Sequence, residues 1–328
     1  SRRRWRQFEW VGTARGDAST RADKPRMRNI GDGDVMMIWI RRALIALVSL
    51  LVLAAIAVAG LLWNGERKRE RMVQVPASQS PAFVDDAASR ERGAYLYASR
   101  GCTDCHGADG AGRVFVDDPN GLKIKGPAIH PGPGSVTVGY TPQDWDRVVR
   151  HGVKRNGRPA IIMPSEDYNR FTDADFAALV SYVRALPAGG GGAAVIELPL
   201  PVRALYGAGY IDDAAAKIDH AMPVQPPVAE GVSIEHGRYV ANTCLGCHGP
   251  QLAGGPVPGG PPDWPPAARL SQGPNSAMAR YPNADALVAM FRSGKRADGS
   301  EVKVMPFGSF SKMSDTDLRA LHLYLKSL

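Results

Sequence analysis

The sequence predicts a helical chain in three parts. One N-terminal transmembrane helix is followed by two copies of a unit built as short helix, long loop and closing helix. Three observations carry this. Residues 43–65 contain no ionisable side chain, all four cysteines fall in two C-x-x-C-H motifs, and the pattern around those motifs repeats at an offset of 142 residues. With 36 Gly and 26 Pro among 328 residues the connections must be long and irregular, while 44% hydrophobic and 22% charged content excludes wholesale disorder.

Residues 1–37 have neither apolar periodicity nor a strand pattern, and are expected to form a disordered basic N-terminus. Met36-Met37 ahead of the apolar run reads as an ordinary start of a signal anchor. The residues upstream are then a misplaced translation start or a dispensable tail, with a functional basic arm as the alternative. The net charge of +8 belongs to this end of the chain. Residues 1–42 carry 11 basic and 5 acidic side chains, residues 66–71 carry 4 and 2, and the chain from residue 76 onward carries 25 of each. A neutral body offers no basic face for nucleic acid. The charge fits residues that flank a membrane segment.

Residues 38–65 read as that segment, a transmembrane signal anchor. At ~1.5 Å per residue the uncharged run spans ~34 Å, enough for a ~30 Å hydrocarbon core. Trp39 and Trp63 bracket it where aromatic belts form. A buried core helix rarely runs so long without a polar face. A cleaved signal peptide is the stronger rival, because Ala57-Val58-Ala59 resembles a cleavage site, but the apolar run continues through Leu61, Leu62 and Trp63. Within about 18 residues of the span basic residues are balanced, Arg26, Arg28, Arg41 and Arg42 before it and Arg67, Lys68, Arg69 and Arg71 after, so charge leaves the orientation open. Residues 66–87 are expected to be a tether, residues 88–187 a first domain, residues 188–228 a Gly/Pro-rich linker and residues 229–328 a second domain.

The motifs are Cys102-Thr103-Asp104-Cys105-His106 and Cys244-Leu245-Gly246-Cys247-His248. This spacing is the attachment signature of c-type haem: two thiols add across the vinyl groups and the histidine becomes an iron ligand. A zinc ribbon would place its pairs ~15–20 residues apart, whereas 138 residues intervene here. A thioredoxin-like site needs a βαβ context, which neither motif has.

A Met-Pro pair follows each motif, Met163-Pro164 and Met305-Pro306, in both cases 57 residues after the motif histidine. Thr172 and Ser314 then repeat as N-caps with an acid three residues on, Asp175 and Asp317. The helices that follow carry Phe176, Leu179, Val183 and Leu318, Leu321, Leu325 on one face. Upstream of each motif a short helix holds a glycine and then an aromatic, Gly93 with Tyr95 and Gly237 with Tyr239. Met222, Met278, Met290 and Met313 lack the repeat register and are expected to pack. His130, His151, His220, His236 and His322 are expected to be packing or surface residues, with His130 and His151 as rival ligands to Met163.

The order of helix, C-x-x-C-H, Gly/Pro-rich loop, Met-Pro and closing helix resembles the class I cytochrome c domain, present twice over roughly residues 88–187 and 229–328. The resemblance implies an all-α fold in which first and last helices cross beside the haem, the glycine allowing close approach. It implies two covalently attached haems (heme c), bound at Cys102, Cys105 and His106 and at Cys244, Cys247 and His248. Met163 and Met305 become the sixth ligands, so the metal is held by His106 and Met163 and by His248 and Met305. A proline after each motif would accept a hydrogen bond from the ligand imidazole. Pro127 fits, and Pro266 is the candidate in the second domain, with Pro265 beside it.

The function this implies is a membrane-anchored dihaem cytochrome c that transfers single electrons. With both axial positions filled no catalytic residue is expected, and the chain is not itself an enzyme. Its partners would be redox proteins, in a membrane complex, linking a dehydrogenase or quinol-oxidising complex to an oxidase or photosynthetic reaction centre. The alternative is a dihaem enzyme such as a peroxidase or thiosulfate-oxidising cytochrome, and a sensor or structural subunit is a third reading. Attachment of haem after export places the domains in the periplasm, with a single span in a bacterial inner membrane and a cytoplasmic N-terminus.

Overall fold

The computed structural model describes residues 32–77, 80–261 and 263–328. The basic stretch up to residue 31 lies outside the described residues. The first element, α1 (Asp32–Glu70), is a single helix of 39 residues whose central side chains are exposed. It is long and apolar enough to cross a membrane. It overruns the expected 38–65 at both ends, because nothing in residues 32–37 or 66–70 breaks a helix and the last turn holds Arg67, Lys68 and Arg69, favourable at a C-terminus.

The first domain begins with α2 (Ala87–Ser99), capped by the Asp86 carboxylate on the Ser89 N–H, and the motif helix α3 (Cys102–His106). A hairpin, β1 (Val114–Asp117) and β2 (Lys123–Lys125), follows, and then α4 (Pro142–His151) and α5 (Asp173–Arg184). The capping box at Thr141 and Asp144 starts α4, and Thr172 caps α5 through the Asp175 N–H. The hairpin is joined by β3 (Val195–Glu197) into an antiparallel sheet in the order β1-β2-β3. The mostly helical chain therefore contains a small sheet that short strands of three or four residues did not announce. Residues 188–228 hold further structure, α6 (Leu200–Ala208) and α7 (Ala214–Lys217).

The second domain repeats the plan with α8 (Ile234–Val240), the motif helix α9 (Leu245–His248), α10 (Ala284–Ser293), α11 (Phe307–Phe310) and α12 (Asp315–Ser327). In each domain the first helix crosses the last at a glycine. A β-carbon on Gly93 would lie 2.0 Å from the Ala178 carbonyl oxygen, and one on Gly237 would lie 2.0 Å from that of Ala320. No larger residue fits. Leu96, Phe176, Leu179 and Val183 fill the first core, and Val240, Leu318, Leu321 and Leu325 the second, beside buried Met278, Met290 and Met313.

The two domains meet through reciprocal contacts. Tyr95 of the first donates to Asp317 at the start of α12 (2.5 Å), and Tyr239 of the second donates to Asp175 at the start of α5 (2.7 Å). Each aspartate also takes a cation or imidazole from its own first helix, Asp175 from Arg92 (2.8 Å) and Asp317 from His236 (2.7 Å). Ser309 donates to Asp104 inside the first motif (2.8 Å), and Asp167 accepts from the Gly246 N–H inside the second (3.0 Å). Among the described residues one contact has no counterpart: Arg100, 2% exposed, reaches Asp317 at 2.6 Å.

The expected free tether does not start at residue 66. Lys68 pairs with Asp212 (2.7 Å), Arg71 pairs with Asp213 (2.6 Å), and the Val73 N–H donates to the Gly157 carbonyl (2.9 Å). The basic stop of the apolar run is thus bound to acids in the segment between the two domains. Burial opposes ionisation of Asp213, but the hydrogen bonds from Arg71 and Tyr206 outweigh it and hold the carboxyl below the usual carboxylate range.

Candidate functional site

Each motif forms a short helix that delivers its histidine from the last position. In the first domain His106 Nδ1 bonds to the Pro127 carbonyl oxygen at 2.9 Å. A carbonyl can only accept, so the proton sits on Nδ1 and the Nε2 lone pair is left for a metal. Burial lowers the pKa of the ring, which keeps it neutral. His248 has the same arrangement, with one correction. Its Nδ1 bonds to the Ala268 carbonyl at 2.7 Å and not to Pro266.

The reason is a one-residue slip between the repeats. Gly126 N–H pairs with Arg113 O in the first loop, and Ala267 N–H with Gly255 O in the second. The offset there is 141 rather than 142, so Ala268 takes the place of Pro127. Any residue supplies the same carbonyl, and proline is not needed. The loop regains its register before α10, which is why the Met-Pro pairs still match. Even the backbone repeats: Leu252 holds φ 53, where the first domain has Gly110 at φ 71.

Met163 and His106 line one cavity of about 670 Å³, together with Cys102, Cys105 and Pro127. That is the scale of a small-molecule or cofactor site, roughly 300–1,000 Å³. The sheet residues Phe115, Ile124 and Ile196 form one wall. Arg69 and Glu70 from the end of α1 stand on its rim, a contribution that no motif signalled. A smaller apolar recess beside it is lined by Tyr97, Trp145, Leu179 and Val183.

Burial pushes the Cys102 thiol up to about 12, Cys105 up to about 11 and Cys244 up to about 12, and it raises Cys247 as well. Thiols this reluctant to ionise are poor ligands for a bare metal, which needs thiolates. Among the described residues no group of three or more His, Cys, Asp or Glu side chains is placed to hold a metal ion. A haem whose vinyl groups take up the two S–H groups as thioethers, with one imidazole as ligand, would fit the donors that are present.

The rival histidines are occupied elsewhere. His130, fully buried, bonds Gly190 O through Nε2 (2.7 Å) and accepts from the Gly132 N–H through Nδ1 (2.9 Å). His151 pairs with His220 (Nδ1 to Nδ1, 3.0 Å), and His322 bonds the Tyr281 carbonyl (3.0 Å). His236 belongs to the contact between the domains.

The family described as cytochrome C oxidase, cbb3-type, subunit III matches residues 88–183 and 234–325. The chain belongs to this family. It is thus a cytochrome c chain with two tandem domains, and the family implies haem c as its cofactor. Over 282 residues this cytochrome is 28% identical to the fructose dehydrogenase cytochrome subunit of Gluconobacter japonicus, covering 77% of the chain and 55% of that protein. It is 30% identical over 280 residues to the cytochrome c subunit of alcohol dehydrogenase (quinone) from Komagataeibacter europaeus, covering 74% of the chain and 56% of that protein. The gluconate 2-dehydrogenase cytochrome c subunit of Pantoea cypripedii is 28% identical over 287 residues, 75% of the chain and 62% of that protein. The cytochrome therefore spans little more than half the length of these curated relatives, which are cytochrome subunits of dehydrogenases.

Proposed function

We propose that this chain is a membrane-anchored dihaem cytochrome c that carries single electrons within a dehydrogenase complex of the bacterial inner membrane. One haem is attached through Cys102 and Cys105 and held by His106 and Met163, the other through Cys244 and Cys247 and held by His248 and Met305. The observation that carries this reading is the duplicated site, in which both motif histidines spend Nδ1 on a backbone carbonyl. When bound, haem supplies a one-electron change of iron charge at a potential that the protein sets.

The residues of the chain have definite tasks. Pro127 and Ala268 fix the tautomer and the plane of each ligand imidazole. Tyr97, Trp145 and Val183 keep water out of the first cavity, and Tyr168 ties its Met-Pro turn to the Arg100 carbonyl (2.9 Å). The Ser309–Asp104 and Asp167–Gly246 bonds hold each motif against the turn that follows the other domain's Met-Pro pair. In this reading the haem domains are periplasmic, α1 is the span and the N-terminus is cytoplasmic. The source of electrons is a dehydrogenase, as the names of the relatives suggest.

The test is chemical. Acid–acetone extraction should leave the colour on the polypeptide, and the denatured mass should exceed that of the chain by two haem groups. Colour in the organic phase, or a gain of one haem, would refute the dihaem assignment.

A further inference from the structure

We propose that α6 is a membrane-surface helix, its exposed apolar face lying in the interfacial layer of the bilayer that α1 crosses, with lipid as the occupant of that face. The proposal rests on reading α1 as a membrane span.

The level of α6 along α1 is fixed by contact. A β-carbon on Gly207 would sit 2.0 Å from the Leu61 carbonyl oxygen, and one on Gly65 would lie 3.1 Å from that of Arg203. Two small residues thus let the helices touch backbone to backbone, as packed helices do in membranes. Asn64 Nδ2 donates to the Gly207 carbonyl at 2.7 Å, which satisfies a backbone group at that depth. The contact therefore lies at residues 61–65, the last turn of the uncharged run. Just beyond it Lys68 donates to the Tyr206 carbonyl (3.0 Å). Trp63, exposed and covered by Arg67 at 4.9 Å, marks the same level. This is the layer where aromatic rings and snorkelling cations gather.

The composition of α6 matches that layer. It turns Tyr206 and Gly207 inward and exposes Leu200 (60%), Leu205 (43%) and the following Tyr210 (79%). Its one charged side chain is Arg203, which is half-buried. In water such a face gains nothing by exposure. On the same turns of α1, Ile56, Val58 and Trp63 are exposed as well. If α1 is surrounded by acyl chains and head groups, lipid also reaches a helix that touches it at residues 61–65. The segment joining the two haem domains then has a second hold on the membrane.

The experiment uses the full-length protein in phosphatidylcholine vesicles doped with a phospholipid that carries a carbene precursor near the glycerol end of one acyl chain. After irradiation the adducts are mapped by mass spectrometry. They are expected on the α6 peptide around Leu200, Leu205 and Tyr210, at a yield comparable with α1 and severalfold above that of α12 around Leu323, an exposed leucine of the second domain. The double variant Leu200→Glu, Leu205→Glu should lower the α6 yield severalfold and leave the α1 yield and the haem content unchanged. Adducts on α1 with α6 no higher than α12 would overturn the proposal while leaving the span in place, and would assign the face to a protein partner. No adducts on α1 would overturn the span and this proposal together.

Discussion

Replacing Asp317 by alanine should cost far more stability than replacing its counterpart Asp175, although the two occupy the same position in the repeat. Both variants remove the acceptor of a tyrosine hydroxyl, Tyr95 or Tyr239, and a carboxylate from the first turn of a helix. The loss of that charged hydrogen bond is worth about 1.5–3 kcal/mol in either case. The difference lies in what is left behind. Arg92 is 25% exposed and can turn to water, whereas Arg100 is 2% exposed and would keep just the Ser99 hydroxyl (3.2 Å) and the face of the Tyr95 ring (5.7 Å), neither of which carries a negative charge. Stranding a buried guanidinium costs about 3–5 kcal/mol. Asp317→Ala should therefore exceed Asp175→Ala by about 3 kcal/mol. The assay is urea unfolding of the purified holoprotein in detergent, followed by far-UV circular dichroism and read as the shift in midpoint at unchanged slope. There is a matching pH signature. Burial opposes ionisation of Asp317, but the His236 hydrogen bond and the Arg100 charge outweigh it and hold the carboxyl well below the usual carboxylate range. A depressed folded pKa contributes stability that is present above the unfolded value of about 3.9 and lost as pH falls below it. Wild type should lose this increment on acidification, and Asp317→Ala should lack it. Costs for the two variants within about 1 kcal/mol of each other would refute the reasoning.

Met163→Ala or Met305→Ala should each remove about half of the weak long-wavelength band of iron–thioether bonding and open one haem to carbon monoxide; an unchanged spectrum would dismiss that methionine as a ligand. Gly93→Val should push α2 off α5 at a cost of at least about 1–3 kcal/mol, with the first domain losing its haem and the second keeping its own, as counted by mass. Asp213→Asn should free the segment between the domains from Arg71, so limited proteolysis within residues 188–228 should speed up. Wild type should show the same acceleration only at a pH below the ordinary carboxylate range, where its own depressed carboxyl is finally protonated.

The chemistry of the site was legible because it depends on residue identity and spacing. Two C-x-x-C-H motifs, two Met-Pro pairs and two capped closing helices stand out in a single sequence. What the sequence concealed depends on backbone atoms or on distant pairing. The acceptor for His248 is a carbonyl that any residue provides, so a nearby proline such as Pro266 is no guide to Ala268. The sheet is hidden in the sequence because strands of three or four residues carry almost no periodic signal. The run from Glu66 to Arg71 looked like a solvated stop, and only the fold brings Asp212 and Asp213 to it across more than 140 positions. Tyr95 and Tyr239 were visible as a repeated aromatic, but each serves the other domain, and one copy read alone does not reveal that.

The reciprocal pairing of Tyr95 with Asp317 and Tyr239 with Asp175 has the form of an isologous contact, in which one patch meets its own copy. A homodimer of single-haem ancestors would have been held by such a surface at the mercy of concentration. Joined in one polypeptide, the halves meet at an effective concentration set by the connection, on the order of millimolar for a short flexible one. Fusion also releases them from being identical. Mutations in a homodimer appear on both sides of the axis, whereas here Arg92 can stand opposite His236, Asp104 opposite Gly246, and Arg100 can have no counterpart at all. The two repeats thereby acquire different surroundings of charge, which is what two redox centres would need if an electron were to prefer one over the other.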